Sequence, residues 1–143
     1  MKRGPLVQVA AFCENVIEGK DGTISLIRII DRMMVTAQGS EAPKDMPPVT
    51  RLLMAVVTLK AGAAAGRQDV RIVMEKPSTE QTELWTASML AEGPDRGQNF
   101  VVRLHVTFDQ EGLYWFHVLA DEEILTSMPF RLVYVRQALG ARP

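Results

Sequence analysis

Alternation between apolar and polar residues dominates the last third of the chain. Residues 101–108, 113–120 and 128–135 alternate with a period of two, and the acidic turns at 109–112 and 121–127 lie between them. This period is typical of half-buried β-strands, and strands at this spacing are typical of antiparallel sandwiches or barrels. We therefore predict an all-β fold, a two-layer antiparallel β-sandwich of immunoglobulin-like or Greek-key type.

The rest of the chain adds further extended segments and no pattern of a long helix. Residues 37–48 contain three prolines, which deny a sheet its hydrogen-bond donors, so this segment is predicted to be a loop. The total is about eight strands. The other predicted strands cover residues 7–13, 24–30, 50–60, 70–75 and 84–91.

Length and charge restrict the class of protein. A chain of 143 residues fits one domain, residues 1–143, because folding at this size hides about 70% of the surface that the unfolded chain exposes. Sixteen Lys and Arg residues against seventeen Asp and Glu leave a formal net charge of -1. Binding to nucleic acid relies on an excess of basic residues. The sequence therefore predicts neither a nucleic-acid nor a membrane partner.

Cysteine content suggests a reducing compartment. Cys13 is the only cysteine, so no disulfide can form within the chain and packing must supply the stability. The apolar run before Cys13 is too short for a signal sequence and is interrupted by Gln8. No apolar run of about 18 residues is present, as a membrane helix would require. We expect a cytoplasmic protein.

Several strands carry apolar residues on both faces. In the last strands Phe116 and Leu132 are assigned to the core, yet apolar side chains also point outward. If the strands are neighbours, their outer sides merge into a patch of the kind that marks association, with a homo-oligomer as the expected form. The alternative is that a loop, or the 37–48 segment, covers them. The predicted interface residues are Trp115, Leu119, Val133, Val135, Leu52, Met54 and Val56.

The turn before residue 113 resembles the tyrosine corner of immunoglobulin-like sandwiches. In that corner a tyrosine entering a strand bonds its hydroxyl to backbone a few residues upstream. Tyr114 has the matching place, but Gln110 stands four residues before it, where an acidic residue is usual. The match is partial, and the role it implies is structural.

A wider resemblance runs over most of the chain. The sequence is similar to a family of small bacterial proteins known only as a domain of unknown function. This resemblance implies a single bacterial β domain and supplies no catalytic residues. It is carried by Ala11-Phe-Cys13-Glu14-x-Val16, Asp21-Gly22-Thr-x-Ser25, Ile27-Arg28-Ile29-Ile30-Asp31-Arg32, Met46-Pro47, Gly112-x-Tyr114-Trp-Phe116 and Pro129.

Few residues suggest catalysis or metal binding. Cys13 would need a histidine base to act as a nucleophile, and its place in an apolar strand favours an inward, buried packing residue. His105 and His117 point outward on consecutive strands, but two imidazoles lack the further ligands that zinc requires. The acidic turns lie at opposite ends of one strand, so they do not form a joint calcium site. No cofactor or metal is predicted.

Three functions of different classes remain. The first is a non-enzymatic interaction or scaffolding domain that self-associates. The second is a ligand-binding sandwich of carbohydrate type, in which outward Trp115 supplies a stacking face. The third is an enzyme that uses Cys13 with a histidine, or the cluster of Arg28, Asp31 and Arg32. We favour the first, because nothing in the sequence places a base beside a nucleophile.

Overall fold

The computed structural model describes residues 4–137, which form nine β-strands and no helix within that range. The prediction of an all-β fold is confirmed. The strands are β1 Leu6–Glu18, β2 Ile24–Ile30, β3 Arg32–Gln38, β4 Val49–Lys60, β5 Gly66–Glu75, β6 Gln81–Ala91, β7 Gly97–Phe108, β8 Gly112–Ala120 and β9 Glu123–Gln137.

The strands form two sheets. Sheet A has the order β2-β1-β4-β7, and sheet B has the order β3-β9-β8-β5-β6. The pairs are antiparallel except for β3 and β9, which run parallel. One detail of the prediction is thus wrong, the antiparallel arrangement throughout. Nine strands stand against the predicted total of about eight, and the additional strand is β3. Alternation assigns no structure to its residues 32–36, and its last two residues belong to the segment predicted to be a loop.

The core lies where the inner faces of the two sheets meet. Phe12 of β1 contacts Phe116 and Phe130 of sheet B edge-to-face, with ring centroids 4.8 and 5.4 Å apart. Phe108 of sheet A packs in the same way on Tyr114, at 4.9 Å. Aromatic pairs in this geometry add to the free energy gained by burying their surface. These contacts join the sheets into one hydrophobic core.

The loop between β3 and β4 closes one side of this core. Met46 of this loop is buried in the core, and the Tyr134 hydroxyl donates a 2.6 Å hydrogen bond to the carbonyl oxygen of Pro43. The prolines keep this segment out of both sheets, as predicted, although Ala37 and Gln38 belong to β3.

The tyrosine that enters β8 bonds back to the turn before it. The Tyr114 hydroxyl donates to the carbonyl oxygen of Gln110 at 2.7 Å and accepts from the Gln110 amide at 3.0 Å. Burial raises the pKa of this phenol, so the hydroxyl stays protonated and able to donate. This contact fixes the β7–β8 turn, and by itself it shows no relationship to immunoglobulin domains.

A hairpin bends away from the edge of sheet A. Strand β1 pairs with β4 only as far as Cys13, and its later residues pair with β2 alone. Arg28, opposite Glu14, has a φ of 56°, a left-handed conformation that a residue with a side chain rarely adopts. The two side chains form an ion pair at 3.0 Å. We call residues 14–28, which lie beyond this bend, the arm.

The arm lies across the outer face of sheet A. Its tip contacts β7, where the Asn99 side-chain amide donates to the Gly22 carbonyl oxygen at 3.4 Å. A cleft of about 240 Å³ between arm and sheet is lined by Val16 and Glu18 on one side. The sheet side of the cleft is lined by Met54, Val101 and Arg103. The chain thus covers part of its own outer surface.

Two residues on this outer face are buried. Cys13 is 2% exposed and Val56 is fully buried, although both lie outside the main core cluster. The prediction that Cys13 is a buried packing residue is confirmed, but its side chain lies on the outer face and not on the predicted inward face. A β-bulge between Val7 and Val9 shifts the register of β1 against β4, so the residues after the bulge change faces.

Candidate functional site

The predicted interface residues fall into two groups that do not meet. Three of them belong to β4 in sheet A, and the other four belong to β8 and β9 in sheet B. Strand β4 lies in a different sheet from β8 and β9, so the outer sides of the two groups cannot merge into one patch. Val56 also cannot take part in an interface in this conformation, because the arm and sheet leave none of its surface exposed.

On sheet B the apolar residues are separated by polar ones. Trp115 is 36% exposed, and His117 lies between it and Leu119 along β8. On β9 the exposed Arg131 precedes Val133 and Val135. The four predicted residues do share an outer face, but they are not contiguous. Their role in an interface stays a prediction.

His117 belongs to a chain of polar contacts across four strands of sheet B. Its Nδ1 atom lies 2.7 Å from the Oγ of Ser127 on β9, and its Nε2 atom lies 3.1 Å from the Oε1 of Glu75 on β5. The Gln81 side-chain amide on β6 donates to the same Oε1 at 3.2 Å. The His117 side chain is only 15% exposed. We call these four residues the His117 ladder.

The acceptors in the ladder determine the tautomer of neutral His117. An ionised carboxylate can only accept hydrogen bonds, so Nε2 must carry the proton that is shared with Glu75. Nδ1 then has a free lone pair, and the Ser127 hydroxyl must donate to it. The ladder therefore aligns a serine hydroxyl, an imidazole lone pair and a carboxylate in one direction.

A hollow of about 280 Å³ opens beside this ladder on the outer face of sheet B. Its lining mixes polar groups with apolar side chains, which is the usual character of small-ligand sites. Rigid strands carry most of these residues, so the polar groups keep fixed positions. The hollow is lined by Arg71, Val73, Gln81, Glu83, His117, Leu119 and Ile124.

The cation of the hollow is held by two partners. Arg71 Nη1 lies 3.2 Å from Glu83 Oε1 on β6, and Nη2 donates to the Asp121 carbonyl oxygen at 3.2 Å. Its side chain is 33% exposed. One carboxylate, Glu83, and one guanidinium thus line the hollow, and a second carboxylate, Glu75, lies behind the lining, bonded to His117 and Gln81. With His117 neutral, the formal charges of Arg71, Glu83 and Glu75 sum to -1.

Cys13 is not equipped for catalysis. Burial raises the pKa of its thiol, and a backbone hydrogen bond at Asn15 offsets only part of that effect. The thiolate, which is the nucleophilic form, is therefore disfavoured at neutral pH. The candidate histidine pair is not formed either, because His105 lies on β7 in sheet A and His117 on β8 in sheet B.

The second predicted cluster is split by the bend of the arm. Arg28 pairs with Glu14, whereas Arg32 lies 3.0 Å from Asp31. The Arg32 guanidinium lowers the pKa of the Asp31 carboxyl by hydrogen bonding and charge attraction. Asp31 and Arg32 are thus an exposed local pair, whereas Arg28 forms its ion pair within the arm. Arg28, Asp31 and Arg32 do not form a common site.

The acidic turns use their carboxylates for local contacts. Asp109 accepts a 3.0 Å hydrogen bond from Lys76, whose pKa it raises, and Asp121 accepts one from the Asp69 amide at 3.0 Å. The turns lie at opposite ends of β8, as predicted. Among residues 4–137 no three His, Cys, Asp or Glu side chains are grouped so that they could hold a metal ion.

Sequence reasoning missed Ser127 and Glu75. Their contacts with His117 span strand pairs that alternation cannot identify, since Glu75 lies 42 positions away. Ser127 lies opposite His117 in the β8–β9 hairpin, and this short hairpin was the available signal.

Within the described range, no helix is long and apolar enough to cross a membrane.

A solved structure with a partly similar fold is the Pseudomonas fluorescens alkylpurine DNA glycosylase AlkC bound to DNA containing an abasic site analog. The match has 19% sequence identity and a TM-score of 0.45. It covers 68% of this chain and 27% of the glycosylase chain, so this chain corresponds to about a quarter of that protein. No curated protein matches the sequence.

This comparison corrects two predictions. The similar structure is a DNA-bound glycosylase. Against that finding, the predictions of a non-enzymatic scaffolding domain and of no nucleic-acid partner do not stand. A charge balance near zero describes the whole surface and cannot exclude a local binding site. A likeness of this size also assigns neither DNA binding nor glycosylase activity to the chain.

The resemblance to a family of unknown function is confirmed. Residues 8–133 match the model of one such family. The matched region includes every strand except the outer ends of β1 and β9. The chain belongs to the family of unknown function DUF6941.

Proposed function

We propose that the domain binds a small molecule in the hollow beside His117, on the outer face of sheet B. The ligand we infer has hydroxyl or ammonium donors on an apolar frame. The observation that carries this proposal is the His117 ladder, which holds a carboxylate and an imidazole in fixed positions at the rim of the hollow. Preorganised polar groups on rigid strands reduce the entropic cost of binding.

Glu75 supports the preference for a donor group. The His117 and Gln81 bonds both end on Oε1. Of the two carboxylate oxygens, Oε2 is the one these bonds leave for a ligand. An ionised carboxylate accepts and cannot donate, so its partner must bring an N–H or O–H. Bonds of this kind to a charged group are about twice as strong as neutral ones.

Charge and apolar surface narrow the ligand class further. Arg71 and Glu83 in the lining, together with Glu75 behind it, sum to a formal charge of -1, which disfavours anions and favours neutral or cationic molecules. Val73, Leu119 and Ile124 supply the apolar lining, and Ile124 is 55% exposed. Covering such side chains contributes roughly 25 cal/mol per Å² of apolar area. A ligand with one polar end and one apolar end uses both features.

We also infer that the two sheets form an immunoglobulin-like sandwich. The order of β1, β4 and β7 in sheet A fits strands A, B and E of that fold, and β9, β8, β5 and β6 in sheet B fit G, F, C and C′. On this assignment β2 and β3 are an insertion after strand A. Tyr114 would then enter strand F, where such domains have their tyrosine corner. We propose one domain over residues 1–143, located in the cytoplasm.

Chemical-shift mapping with three simple probes tests the binding proposal. Benzylamine, cyclohexanol and benzoate share an apolar ring and differ in charge. In ¹H–¹⁵N spectra, benzylamine and cyclohexanol are expected to shift the amides of Val73, His117 and Leu119. Benzoate is expected to leave them unchanged, because the carboxylates of the hollow repel it.

A matched pair of variants identifies the carboxylate responsible. Glu75→Gln should remove the benzylamine shifts, whereas Glu92→Gln should retain them. Glu92 follows the last residue of β6 and forms a weak 3.9 Å ion pair with Arg96, and it does not line the hollow. Shifts that scatter over both sheets, or that persist in Glu75→Gln, would refute the proposed site.

A further inference from the structure

We propose that Ser127 is a nucleophile that accepts acyl groups from activated esters, with His117 as its general base. This inference rests on the proposed binding function, since the same histidine lines the hollow. The observation behind it is the alignment of Ser127, His117 and Glu75 in the His117 ladder, at 2.7 and 3.1 Å. A nucleophile bonded to a base that is oriented by a third group is the arrangement of serine hydrolases.

The ring of His117 is turned relative to the arrangement in those hydrolases. There the serine bonds Nε2 and the carboxylate bonds Nδ1. Here Ser127 bonds Nδ1 and Glu75 bonds Nε2. The chemistry depends on a lone pair facing the hydroxyl and an N–H facing the carboxylate, and both ring nitrogens can play either part. The tautomer imposed by Glu75 meets both requirements.

Ser127 can be approached from a second hollow. This hollow has a volume of about 180 Å³ and lies where β1 and β2 meet the edge of β9. Its lining includes Ser127 and the apolar side chains of Ala10, Phe12 and Ile29. His117 therefore lies between two openings, one on its Glu75 side and one beside the serine. We infer that an ester in the second hollow reaches Ser127 from this side.

The proposed step is balanced within this set of residues. The Ser127 Oγ attacks the carbonyl carbon while His117 Nδ1 takes the hydroxyl proton, and Glu75 stabilises the imidazolium and stays ionised. The bond from carbon to the leaving oxygen then breaks, and that oxygen receives the proton. The product is an acyl-serine, which water hydrolyses in a second step with His117 again as base.

Only reactive esters are expected to serve. Removing one oxyanion donor from a serine hydrolase lowers kcat by about 10²–10³-fold. The hydrogen bonds of the ladder provide a base and an orienting carboxylate but no such donor. Esters with good leaving groups need less stabilisation of the oxyanion. We therefore expect slow turnover of p-nitrophenyl acetate and none of peptides.

Covalent labelling with a fluorophosphonate tests the assignment on the intact protein. Attack by Oγ on phosphorus releases fluoride, and peptide mass spectrometry then identifies the modified serine. We expect the label on Ser127. His117→Gln should slow labelling about 10²-fold, which is the lower end of the effect of a general base.

Controls use residues of the same type elsewhere on the surface. Ser88→Ala, on β6 beside Asp69, and His105→Gln, on sheet A, should label at the rate of the original chain. A folded chain that acquires no label on Ser127, or a His117→Gln variant that reacts as fast, would overturn the proposal. Probe binding without labelling would refute the nucleophile and leave the binding function intact. Labelling of Ser127 without probe binding would refute the binding function and leave the nucleophile intact.

Discussion

The outer faces of the two sheets differ in what the chain does with them. On sheet A the arm lies against the face and forms a cleft with it, and Cys13 and Val56 on this face are buried. On sheet B the face stays open, with His117 and its bonded partners beside a hollow. Both faces are partly apolar in sequence. One is therefore part of the packed structure, and the other remains available to a ligand.

This difference shows why an apolar outer face does not identify an interface. Alternation places Val56 and Val133 in equivalent positions, each on the side of its strand away from the core. The arm, which lies far from β4 in sequence, makes the first a buried residue. The second keeps part of its surface exposed. The separation of the two faces leads to four predictions.

The largest expected effect comes from placing a charge under the arm. Val56→Glu should lower the free energy of unfolding by about 3 kcal/mol or more, because an unpaired carboxylate at this site is shielded from water. Urea unfolding followed by circular dichroism measures the loss.

Val133→Glu is the matched control on the open face. It should change the free energy of unfolding by about 0.5 kcal/mol or less, as for most surface substitutions. Equal losses in the two variants would mean that the faces are not different, and the comparison would fail.

The second prediction concerns the thiol beneath the arm. Val16 pairs with Leu26, so both point to the cleft, while Ile27 is on the other side of the arm and exposed. Leu26→Asp should loosen the arm and speed labelling of Cys13 by a thiol reagent about tenfold or more. Ile27→Asp should not. The measurement is the labelling rate at neutral pH.

The pH dependence of that labelling has a defined sign. Burial raises the pKa of the Cys13 thiol, so the reactive thiolate forms only at a pH above the ordinary range for cysteine. Labelling of the original chain should therefore be slow at pH 7 and rise as the pH increases through the raised pKa. Rapid labelling at pH 7 would mean that the arm does not cover Cys13.

A smaller effect is expected from the ladder. Glu75→Gln keeps the size of the side chain and can still accept from His117, so the free energy of unfolding should fall by only about 0.5–1.5 kcal/mol. Ligand binding should fall much more. Thermal unfolding and benzylamine binding, both measured on Glu75→Gln, separate the loss of stability from the loss of ligand binding. A loss of stability as large as that from Val56→Glu would mark the ladder as structural.

The smallest effect belongs to the tip of the arm. Asn99 reaches the Gly22 carbonyl at 3.4 Å in an exposed position, where water can replace the bond. Asn99→Ala should change the free energy of unfolding by about 0.5 kcal/mol or less and leave the Cys13 labelling rate nearly unchanged. A marked increase in labelling would show that the tip contact, and not the apolar packing of Val16 and Leu26, holds the arm.

Much of the fold can be predicted from alternation alone. The strands of the last third and their inward residues, such as Phe108, Tyr114 and Phe130, follow directly from a period of two. The face of Cys13 does not, because one bulge near Val7 reverses every later residue of β1. Strand β3 escaped prediction because it lies at a sheet edge and pairs in parallel with the distant β9.

The candidate site was less accessible to sequence reasoning. Alternation correctly placed His117 on an outer face, but its role depends on which strands lie beside it. The β8–β9 hairpin brings Ser127 opposite, and the β5–β8 pairing brings Glu75 within reach. Pairing between strands far apart in sequence is decided by the packing of the whole core. Local sequence patterns therefore do not predict this pairing.

Long-range ¹⁵N spectroscopy of the histidine rings tests the central claim most directly, because it reports the tautomer of His117 without any ligand. His105, on the open edge strand β7, provides the internal reference. We predict that neutral His117 carries its proton on Nε2 alone and that Glu75→Gln turns this into a mixture of tautomers. A proton on Nδ1, or a mixture already present in the original chain, would contradict the ladder and the site built on it.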